Sequence, residues 1–235
     1  MAARFTPIEL GAPGEEISKK DLIAVIQRFK HFNQSRLQRV REFLQPRQQD
    51  FLHLLPLLFH INHPLLPGFV TLDTPAGISD YIPTKATLDK ATTLSKTFVY
   101  KRKALKSYPI HSLFLMGSVG SMAFSRDSDI DIWLCHQPNL PSTERALLQQ
   151  KAALIEQWAA TLKLEVHFFL LDSQQFKSGE NTPISAESSG ETQHYLLLEE
   201  FYRTAIYVAG RVPVWWLVPP AQEAHYKRYV AHLLE

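Results

Sequence analysis

Two aspartates stand two positions apart in a strictly alternating stretch near the middle of the chain. Residues 129–134 read DIDIWL, so Asp129, Asp131 and Trp133 share one face of a predicted strand and the apolar residues share the other. Carboxylates two residues apart on a strand lie about 7 Å apart and repel each other unless a cation lies between them. Mg²⁺ prefers such oxygen ligands and shares its remaining positions with phosphates. The pair therefore predicts a magnesium site.

A glycine and a serine end the apolar run that precedes this strand. Gly117 and Ser118 follow the sequence LFLM at 113–116. A glycine lets the backbone approach a ligand closely, and N–H groups at the start of a following helical turn attract phosphate oxygens. The Ser118 hydroxyl adds another donor. We interpret the segment as two strands joined by a phosphate-binding turn, although an ordinary turn and a solvated edge strand explain the same residues.

A third acidic residue falls in another predicted strand, at 163–171. Alternate residues from Leu164 onward are apolar, and Glu165 lies on the opposite face with His167. A glutamate buried in so apolar a strand is costly unless it is paired or bound to a metal. We therefore predict Glu165 as a third metal-binding carboxylate, supplied from a strand beside the one that carries the aspartates. A partly exposed edge residue, or a partner for a lysine, is the alternative.

One basic residue, Lys106, is a candidate for contact with a triphosphate, and another, Arg203, has a simpler explanation. Lys106 belongs to a basic cluster just before the first strand, where a solvated helix end is the simpler explanation. Arg203 follows Glu199 by four residues on a predicted helix, so a surface ion pair explains it plainly.

Hydrophobic periodicity predicts a chain of helices with three strands between them. Helices are expected at 18–44, at 51–59 with a kink or break at Pro56, and at 84–107, 142–162, 192–209 and the end of the chain. Strands are expected at 113–116, 129–134 and 163–171, and irregular segments at 1–16, 64–83 and 172–191. The predicted fold class is α/β (or α+β), with a small mixed β-sheet and flanking helices. Residues 1–83 would form a helical N-terminal portion, and residues 84–235 the core that carries the site.

Composition narrows the class of protein. The chain has 235 residues, 45% of them hydrophobic and 20% charged, and a formal net charge of +2, which gives no reason to expect a nucleic-acid partner. One cysteine excludes an internal disulfide framework, and no segment has the apolar length of a signal peptide or a membrane span. We expect a soluble protein of the cytoplasm. His60 and His63 have the spacing of zinc ligands, but no third ligand accompanies them, which favours packed or capping histidines.

A Gly-Ser turn followed by Asp-x-Asp on a strand resembles the signature of the polymerase-β-type nucleotidyltransferase superfamily. Strings along nearly the whole chain resemble more closely the class I adenylate cyclases of gamma-proteobacteria. These strings are His63–Leu65, Pro67–Gly68, Met116–Ser118, Ser128–Trp133, Cys135–Gln137, Glu165–Val166, Phe168–Phe169, Thr192–His194, Leu196–Leu198 and Glu200–Ala205.

The resemblance implies a sheet of the nucleotidyltransferase type and an enzyme that converts ATP to cyclic AMP and diphosphate with two Mg²⁺ ions. Asp129 and Asp131 would be metal ligands, Ser118 would lie at the phosphates, Trp133 beside the nucleotide and Arg203 facing the triphosphate.

The remaining nucleotide-binding candidates are Gly117, Ser128, Lys106 and Arg211, the last of which stands where the family is expected to carry a lysine. Family members are several times longer, so the chain would be their amino-terminal part, and a regulatory protein would act through sequence outside it. The residues leave two alternatives open: a nucleotidyltransferase that passes NMP to a separate acceptor, and an inactive nucleotide-binding fragment.

Overall fold

The computed structural model describes residues 17–102, 107–126, 128–178 and 190–234. The α-helices are α1 (Lys19–Phe43), α2 (Pro46–His60), α3 (Lys85–Leu94), α4 (Ser142–Thr161), α5 (Ser173–Ser178), α6 (Gly190–Thr204) and α7 (Tyr226–Leu234). The strands are β1 (Ile110–Met116), β2 (Ile130–His136), β3 (Val166–Asp172) and β4 (Ile206–Gly210). Short 3-10 turns occupy Gly117–Gly120, Val214–Leu217 and Pro220–His225. Within the described residues, no helix combines the length and hydropathy that crossing a bilayer requires.

The four strands form one mixed sheet in the order β3-β2-β1-β4. β1 is antiparallel to both β2 and β4, whereas β2 and β3 are parallel and are connected through α4. A parallel pair requires such a crossover, which a helix usually provides. The mixed sheet and its flanking helices confirm the predicted α/β class.

The described chain divides into two compact units. One consists of residues up to Ser35 together with those from Val212 onward, and the other runs from Arg36 to Arg211. The second unit contains α2, α3 and the whole sheet, so the division does not follow the boundary predicted at residue 83. The reason is that α2 belongs to the same core as the strands: the Phe59 ring packs edge-on against Phe168 of β3, with 5.2 Å between centroids.

The two faces of the sheet pack against different elements. On one face, which we call the core face, the side chains join α2 and α4 in a large apolar cluster that includes Leu113, Ile132 and Leu134, each fully buried. On the other, which we call the site face, a smaller and more aromatic cluster contains Phe114 and Trp133 together with residues of α5 and α6. Alternation along β2 therefore assigns the apolar residues to the core face and the aspartates to the site face.

Several helix boundaries agree with the sequence, and the start of α1 shows why. Ser18 Oγ accepts a hydrogen bond from the Asp21 N–H, and the Asp21 carboxylate accepts one from the Ser18 N–H, both at 3.2 Å. This reciprocal pair satisfies two N–H groups that a helix start otherwise leaves without a partner.

Two helices differ from the sequence-based expectation. α2 continues through Pro56 rather than breaking there, because burial of its apolar residues outweighs the roughly 3 kcal/mol that an internal proline costs a helix. α3 ends at Leu94, well short of the predicted Ser107; Ser95 has extended backbone angles, and Phe98 is buried in the core without a helix.

The largest difference lies at residues 206–210, where the sequence predicted the end of a helix. The structure instead ends α6 at Thr204 and forms β4, which pairs with β1 at the edge of the sheet. Ile206, Tyr207 and Val208 are β-branched or aromatic and suit a strand better than a helix.

The interpretation of His60 and His63 as packed or capping residues is confirmed. His60 Nδ1 accepts the Ile78 N–H at 3.1 Å, and its ring packs edge-on against Tyr81. His63 Nδ1 accepts the Leu65 N–H at 3.3 Å, and its ring contacts Phe98.

Candidate active site

The end of β1 and the beginnings of β2 and β3 meet at one end of the sheet. Gly117 follows β1, Asp129 precedes β2 and Glu165 precedes β3. They come together because β1 runs antiparallel to β2 while β2 runs parallel to β3. Asp131 pairs with His167 across the parallel strands, and paired residues share a face of the sheet. By alternation, Asp129 and Glu165 belong to this site face as well.

The glycine of the turn has backbone angles and close neighbours that disfavour a side chain. Gly117 has a φ of +69°, a region that disfavours other residues. A Cβ placed there would lie 3.2 Å from Asp131 Oδ2 and 3.7 Å from Glu200 Oε1. The two carboxylates therefore border the same bare stretch of backbone.

The serine hydroxyl of this turn has no hydrogen-bond partner in the part of the chain that the structure describes. Ser118 Oγ is buried, and nothing among the described residues bonds to it. The backbone around it is nevertheless fixed, because Ser121 donates to the Ser118 carbonyl through both its N–H, at 2.9 Å, and its hydroxyl, at 2.8 Å. A buried polar atom without a partner is costly, so this hydroxyl is well suited to a ligand oxygen.

The electrostatics of Asp131 indicate an acidic site. Burial raises the pKa of the Asp131 carboxyl, and the charges of Asp129 and Glu200 raise it further, while His167 lowers it. Asp129 itself is exposed. An approaching cation would favour the ionised form of Asp131 over the protonated one.

Glu165 lies where its strand was predicted to place it, but its burial was predicted wrongly. Its side chain is 72% exposed and its Oε1 lies 3.3 Å from His167 Nε2. The exposed position arises because Glu165 precedes β3 at an end of the site face that the aromatic cluster does not cover. The cost of a buried glutamate is therefore no argument for a metal at this residue.

Within the described residues, no group of three or more histidine, cysteine, aspartate and glutamate side chains is close enough to form a ready metal centre. This is consistent with carboxylates that repel one another and are partly solvated. The donors still fit Mg²⁺ chemically, because Asp129, Asp131 and Glu165 supply carboxylate oxygens at one end of the sheet and the ion accepts water in the remaining positions.

Sequence reasoning missed Glu200. It adjoins Phe201 on α6, and the Phe201 ring stacks on Trp133 with 5.2 Å between centroids and 12° between planes. Trp133 is 4% exposed and also contacts Phe176, so its ring is a packing surface for α5 and α6. The apolar spacing of Leu197 and Phe201 on the predicted helix, once matched to Trp133, was the signal that could have placed Glu200 near the aspartates.

Arg203 and Ser128 have partners outside the acidic cluster. Arg203 forms an ion pair with Glu199 on the exposed side of α6, as the i,i+4 spacing predicted. Ser128 closes the turn before β2, with its Oγ accepting the Ser125 N–H at 3.1 Å. Lys106 lies outside the described residues.

The structure does not bring Arg211 to this end of the sheet. Its N–H donates to the His111 carbonyl at 2.8 Å, and its own carbonyl accepts the Ser112 hydroxyl at 2.8 Å. These contacts lie at the beginning of β1, whereas Gly117 follows its end. Because β4 is antiparallel to β1, the chain leaves the sheet at the end opposite to the turn.

Comparisons with known proteins agree with this arrangement of motifs. A family model described as the adenylate cyclase NT domain matches residues 21–216. The adenylate cyclase of Escherichia coli (strain K12) is 41% identical over 212 residues, which are 88% of this chain and 25% of that protein. The adenylate cyclase of Yersinia pestis is 38% identical over 209 residues, with the same two shares.

The chain thus spans about a quarter of the length of these relatives. A crystal structure described as that of "the toxin-antitoxin with AMP-PNP" aligns with 53% of this chain and 80% of its own, at 17% identity and a TM-score of 0.29, a likeness too low to carry an argument. The family match, by contrast, covers both aspartates, the Gly-Ser turn and all four strands. The chain belongs to the family of adenylate cyclase N-terminal domains.

Proposed function

We propose that this chain forms the nucleotide-binding and catalytic end of an adenylate cyclase, which converts ATP to 3′,5′-cyclic AMP and diphosphate. The observation that carries the proposal is the meeting of a bare glycine turn with an acidic strand: the Cβ position of Gly117 lies 3.2 Å from Asp131 Oδ2. A turn that attracts phosphate, placed against carboxylates that attract metal, is suited to a metal-bound triphosphate. Together with the mixed sheet, this order of motifs supports a nucleotidyltransferase type of site.

The acidic residues would hold magnesium. Asp129 and Asp131 are the proposed ligands of two Mg²⁺ ions, and Glu165 is proposed to complete the set from the neighbouring strand. When bound, such ions activate the attacking oxygen and neutralise the leaving one. The raised pKa of Asp131 supports this assignment, since it reflects burial first and then the negative charges of Asp129 and Glu200, which His167 offsets in part.

The turn would bind and orient the phosphates. Its N–H groups and the Ser118 hydroxyl are donors, and Ser118 is the better placed because its buried Oγ has no partner among the described residues. Ser121 holds the Ser118 carbonyl, so the donors are fixed before a ligand arrives. Preorganised donors of this kind need no rearrangement during the reaction.

Cyclisation joins the ribose 3′-oxygen to the α-phosphorus and breaks the bond to diphosphate, and the 3′-hydroxyl loses its proton. The chain must therefore hold the ribose and the triphosphate in line, and positioning contributes most of the effect in such transfers. Arg203 would face the triphosphate only if it exchanged Glu199 for a phosphate. Trp133 would act through the aromatic packing that places α6 beside the nucleotide. Lys106 stays a proposal from the sequence, whereas Arg211 lies at the opposite end of the sheet and is not proposed as a phosphate contact.

The proposal is tested with ATP and 3′-deoxy-ATP in the presence of Mg²⁺. The analogue keeps the triphosphate and base but lacks the nucleophile, so a cyclase should bind it, be inhibited by it and release no diphosphate from it. A transferase that uses a separate acceptor would release diphosphate from the analogue at nearly the rate found with ATP, which would overturn the proposal. Turnover is measured on this chain and on a longer chain that includes the remaining sequence of its relatives.

Binding to this chain alone is measured by calorimetry. We expect ATP to bind with Mg²⁺ and to bind far more weakly without it, and we expect Asp129→Asn and Asp131→Asn to remove the dependence on Mg²⁺. Asp21→Asn is the matched control, because Asp21 belongs to the start of α1. Normal Mg²⁺-dependent binding in both site variants would contradict the assignment.

A further inference from the structure

A guanidinium from α1 joins the phosphate-binding turn to the end of α6. Arg36 donates from Nη1 to the Ala205 carbonyl at 2.6 Å and from Nη2 to the Thr204 carbonyl at 2.8 Å. The same Nη2 also reaches the Gly120 carbonyl at 3.4 Å. The first two acceptors lie at the C-terminal end of α6, and the third is the last residue of the turn Gly117–Gly120.

The turn and the helix end touch through their backbones at this point. A Cβ on Gly120 would lie 1.8 Å from the Thr204 carbonyl oxygen, so no side chain fits there. The Gly120 and Thr204 carbonyl oxygens both face one nitrogen, Arg36 Nη2, and two such oxygens repel each other unless a donor lies between them. Arg36 supplies that donor, and Arg39 of the same helix adds a weaker one, from Nη2 to the Ser121 carbonyl at 3.3 Å.

Arginine suits this position better than lysine would. Its planar fork directs several N–H groups at once, and it stays charged even where burial and the nearby Arg39 lower its pKa. A cation at a helix C-terminus also interacts favourably with the helix dipole. One side chain therefore binds three carbonyl acceptors and links the helix end to the turn.

The helix end that Arg36 binds belongs to the helix that carries Glu200. The Glu200 carboxylate borders Gly117 at the other end of the same turn. Any change in the distance between the turn and the end of α6 would therefore change the spacing between the phosphate donors and the acidic residues.

We propose that Arg36 is a positioning residue of the site: it fixes the turn Gly117–Gly120 against the C-terminal end of α6 and so sets the geometry in which the turn receives phosphate. The positioning role rests on the proposed function of this turn, whereas the contact itself does not.

The test compares Arg36→Lys and Arg36→Gln with Arg39→Gln and with Arg47→Gln as the matched control. Arg47 is an exposed residue near the start of α2. Amide hydrogen exchange is followed at Ser121, which donates to Ser118, and at Ala205, which donates to Phe201. Affinities for ATP with Mg²⁺ and for adenosine are measured on the same proteins.

We expect Arg36→Gln to speed exchange at both amides and to weaken ATP binding about tenfold, the size of effect that follows from losing a charged hydrogen bond, while adenosine binding changes less than about twofold. Arg36→Lys should change exchange and ATP affinity less than Arg36→Gln does. Arg39→Gln should also have a smaller effect than Arg36→Gln, and Arg47→Gln should have none. A purely structural role would weaken ATP and adenosine binding alike.

Unchanged exchange at Ser121 and Ala205 in Arg36→Gln would overturn the proposal, and so would faster exchange with unchanged ATP affinity. If the unmodified chain binds no ATP, the proposed function of the turn fails, and the positioning role falls with it. The exchange result then still decides whether Arg36 joins the turn to α6. The two failures are therefore distinguishable.

Discussion

The core face and the site face of the sheet differ in how completely their polar groups are paired. On the core side, Lys151 of α4 is 1% exposed, yet its ammonium donates to Asn62 Oδ1 at 2.8 Å and to the Ile61 carbonyl at 3.2 Å. On the site side, Ser118 Oγ is buried and has no partner within the described segments, and the Asp131 carboxyl lies near two like charges. The same β2 strand contributes to both faces, so the difference does not come from the backbone.

This difference indicates which part of the sheet stabilises the fold and which part lowers its stability in the absence of a ligand. On the core face the apolar side chains pack together and the Lys151 ammonium has partners within the chain, so truncation of the apolar side chains should reduce stability. On the site face a ligand would satisfy Ser118 Oγ and the Asp131 carboxylate, so their substitution should leave stability unchanged or increase it while the proposed binding is lost. Functional sites commonly carry such a local cost.

The largest effect is expected from a core-face truncation in β2. Leu134 is fully buried, so Leu134→Ala should lower the free energy of unfolding by about 2–5 kcal/mol through lost burial and a cavity. Leu72→Ala is the control, because Leu72 is 74% exposed and its truncation should change stability by less than about 0.5 kcal/mol. Both are measured by urea unfolding. Equal effects of the two substitutions would contradict the stabilising role of the core face.

The next largest effect is expected at Lys151, which should make the free energy of unfolding depend on pH. Burial lowers the pKa of its ammonium to about 7, whereas the unfolded chain keeps the proton until nearly the ordinary lysine value. Between these two values the unfolded state binds more protons, so stability should rise with pH by up to about 1.4 kcal/mol per pH unit. Below the lower value both states are protonated, and the slope should vanish.

Lys151→Met should remove this slope, and the exposed Lys85→Met should retain it. The measurement is the free energy of unfolding across the neutral to alkaline range. A Lys151→Met protein with the slope of the unmodified chain would show that another group is responsible.

A smaller effect of opposite sign is expected at Asp131. Because the pKa of its carboxyl is raised in the folded state, the ionised form destabilises that state once the pH exceeds the ordinary aspartate value. Asp131→Asn should therefore stabilise the metal-free chain at neutral pH, by less than about 1 kcal/mol because the group is partly solvated. The gain should disappear in acid, where the carboxyl is protonated in both states, and Mg²⁺ should stabilise only the unmodified chain. A loss of stability at neutral pH would contradict this.

The smallest effect on stability is expected at Glu165. Its side chain is 72% exposed, so Glu165→Gln should change the free energy of unfolding by less than about 0.5 kcal/mol. If Glu165 is a metal ligand, the substitution should nevertheless weaken Mg²⁺ binding in calorimetry, whereas Glu223→Gln, at another exposed glutamate, should not. Unaltered Mg²⁺ affinity in Glu165→Gln would leave Asp129 and Asp131 as the proposed ligands and remove Glu165.

The sequence predicted the parts of the molecule that depend on local pattern. Alternation in β2 and the reciprocal bonds of Ser18 and Asp21 follow from residues close in the chain. β4 was missed because Leu197, Phe201 and Ala205 keep a helical spacing up to the strand, and only pairing with β1, far away in sequence, decides where the helix ends.

The candidate site divides in the same way. Its aspartates and its glycine turn could be read from the sequence, because their spacing is local. The exposure of Glu165 and the approach of Glu200 could not, since both depend on how far α6 covers the site face. Alternation identifies the two faces of a strand but not which of them another element will cover.

The contacts of Arg36 also indicate the order in which parts of the structure form while the chain is synthesised. The arginine precedes Gly120 by 84 residues and Ala205 by 169. Chains emerge from the N-terminus, and contacts between distant residues form late because closing a long loop is slow. The Arg36 guanidinium therefore stays solvated until the end of α6 and the edge strand β4 have been synthesised. A nascent chain that stops before Thr204 would contain both aspartates and the glycine turn, yet it would lack the two helix-end acceptors of Arg36, the Thr204 and Ala205 carbonyls.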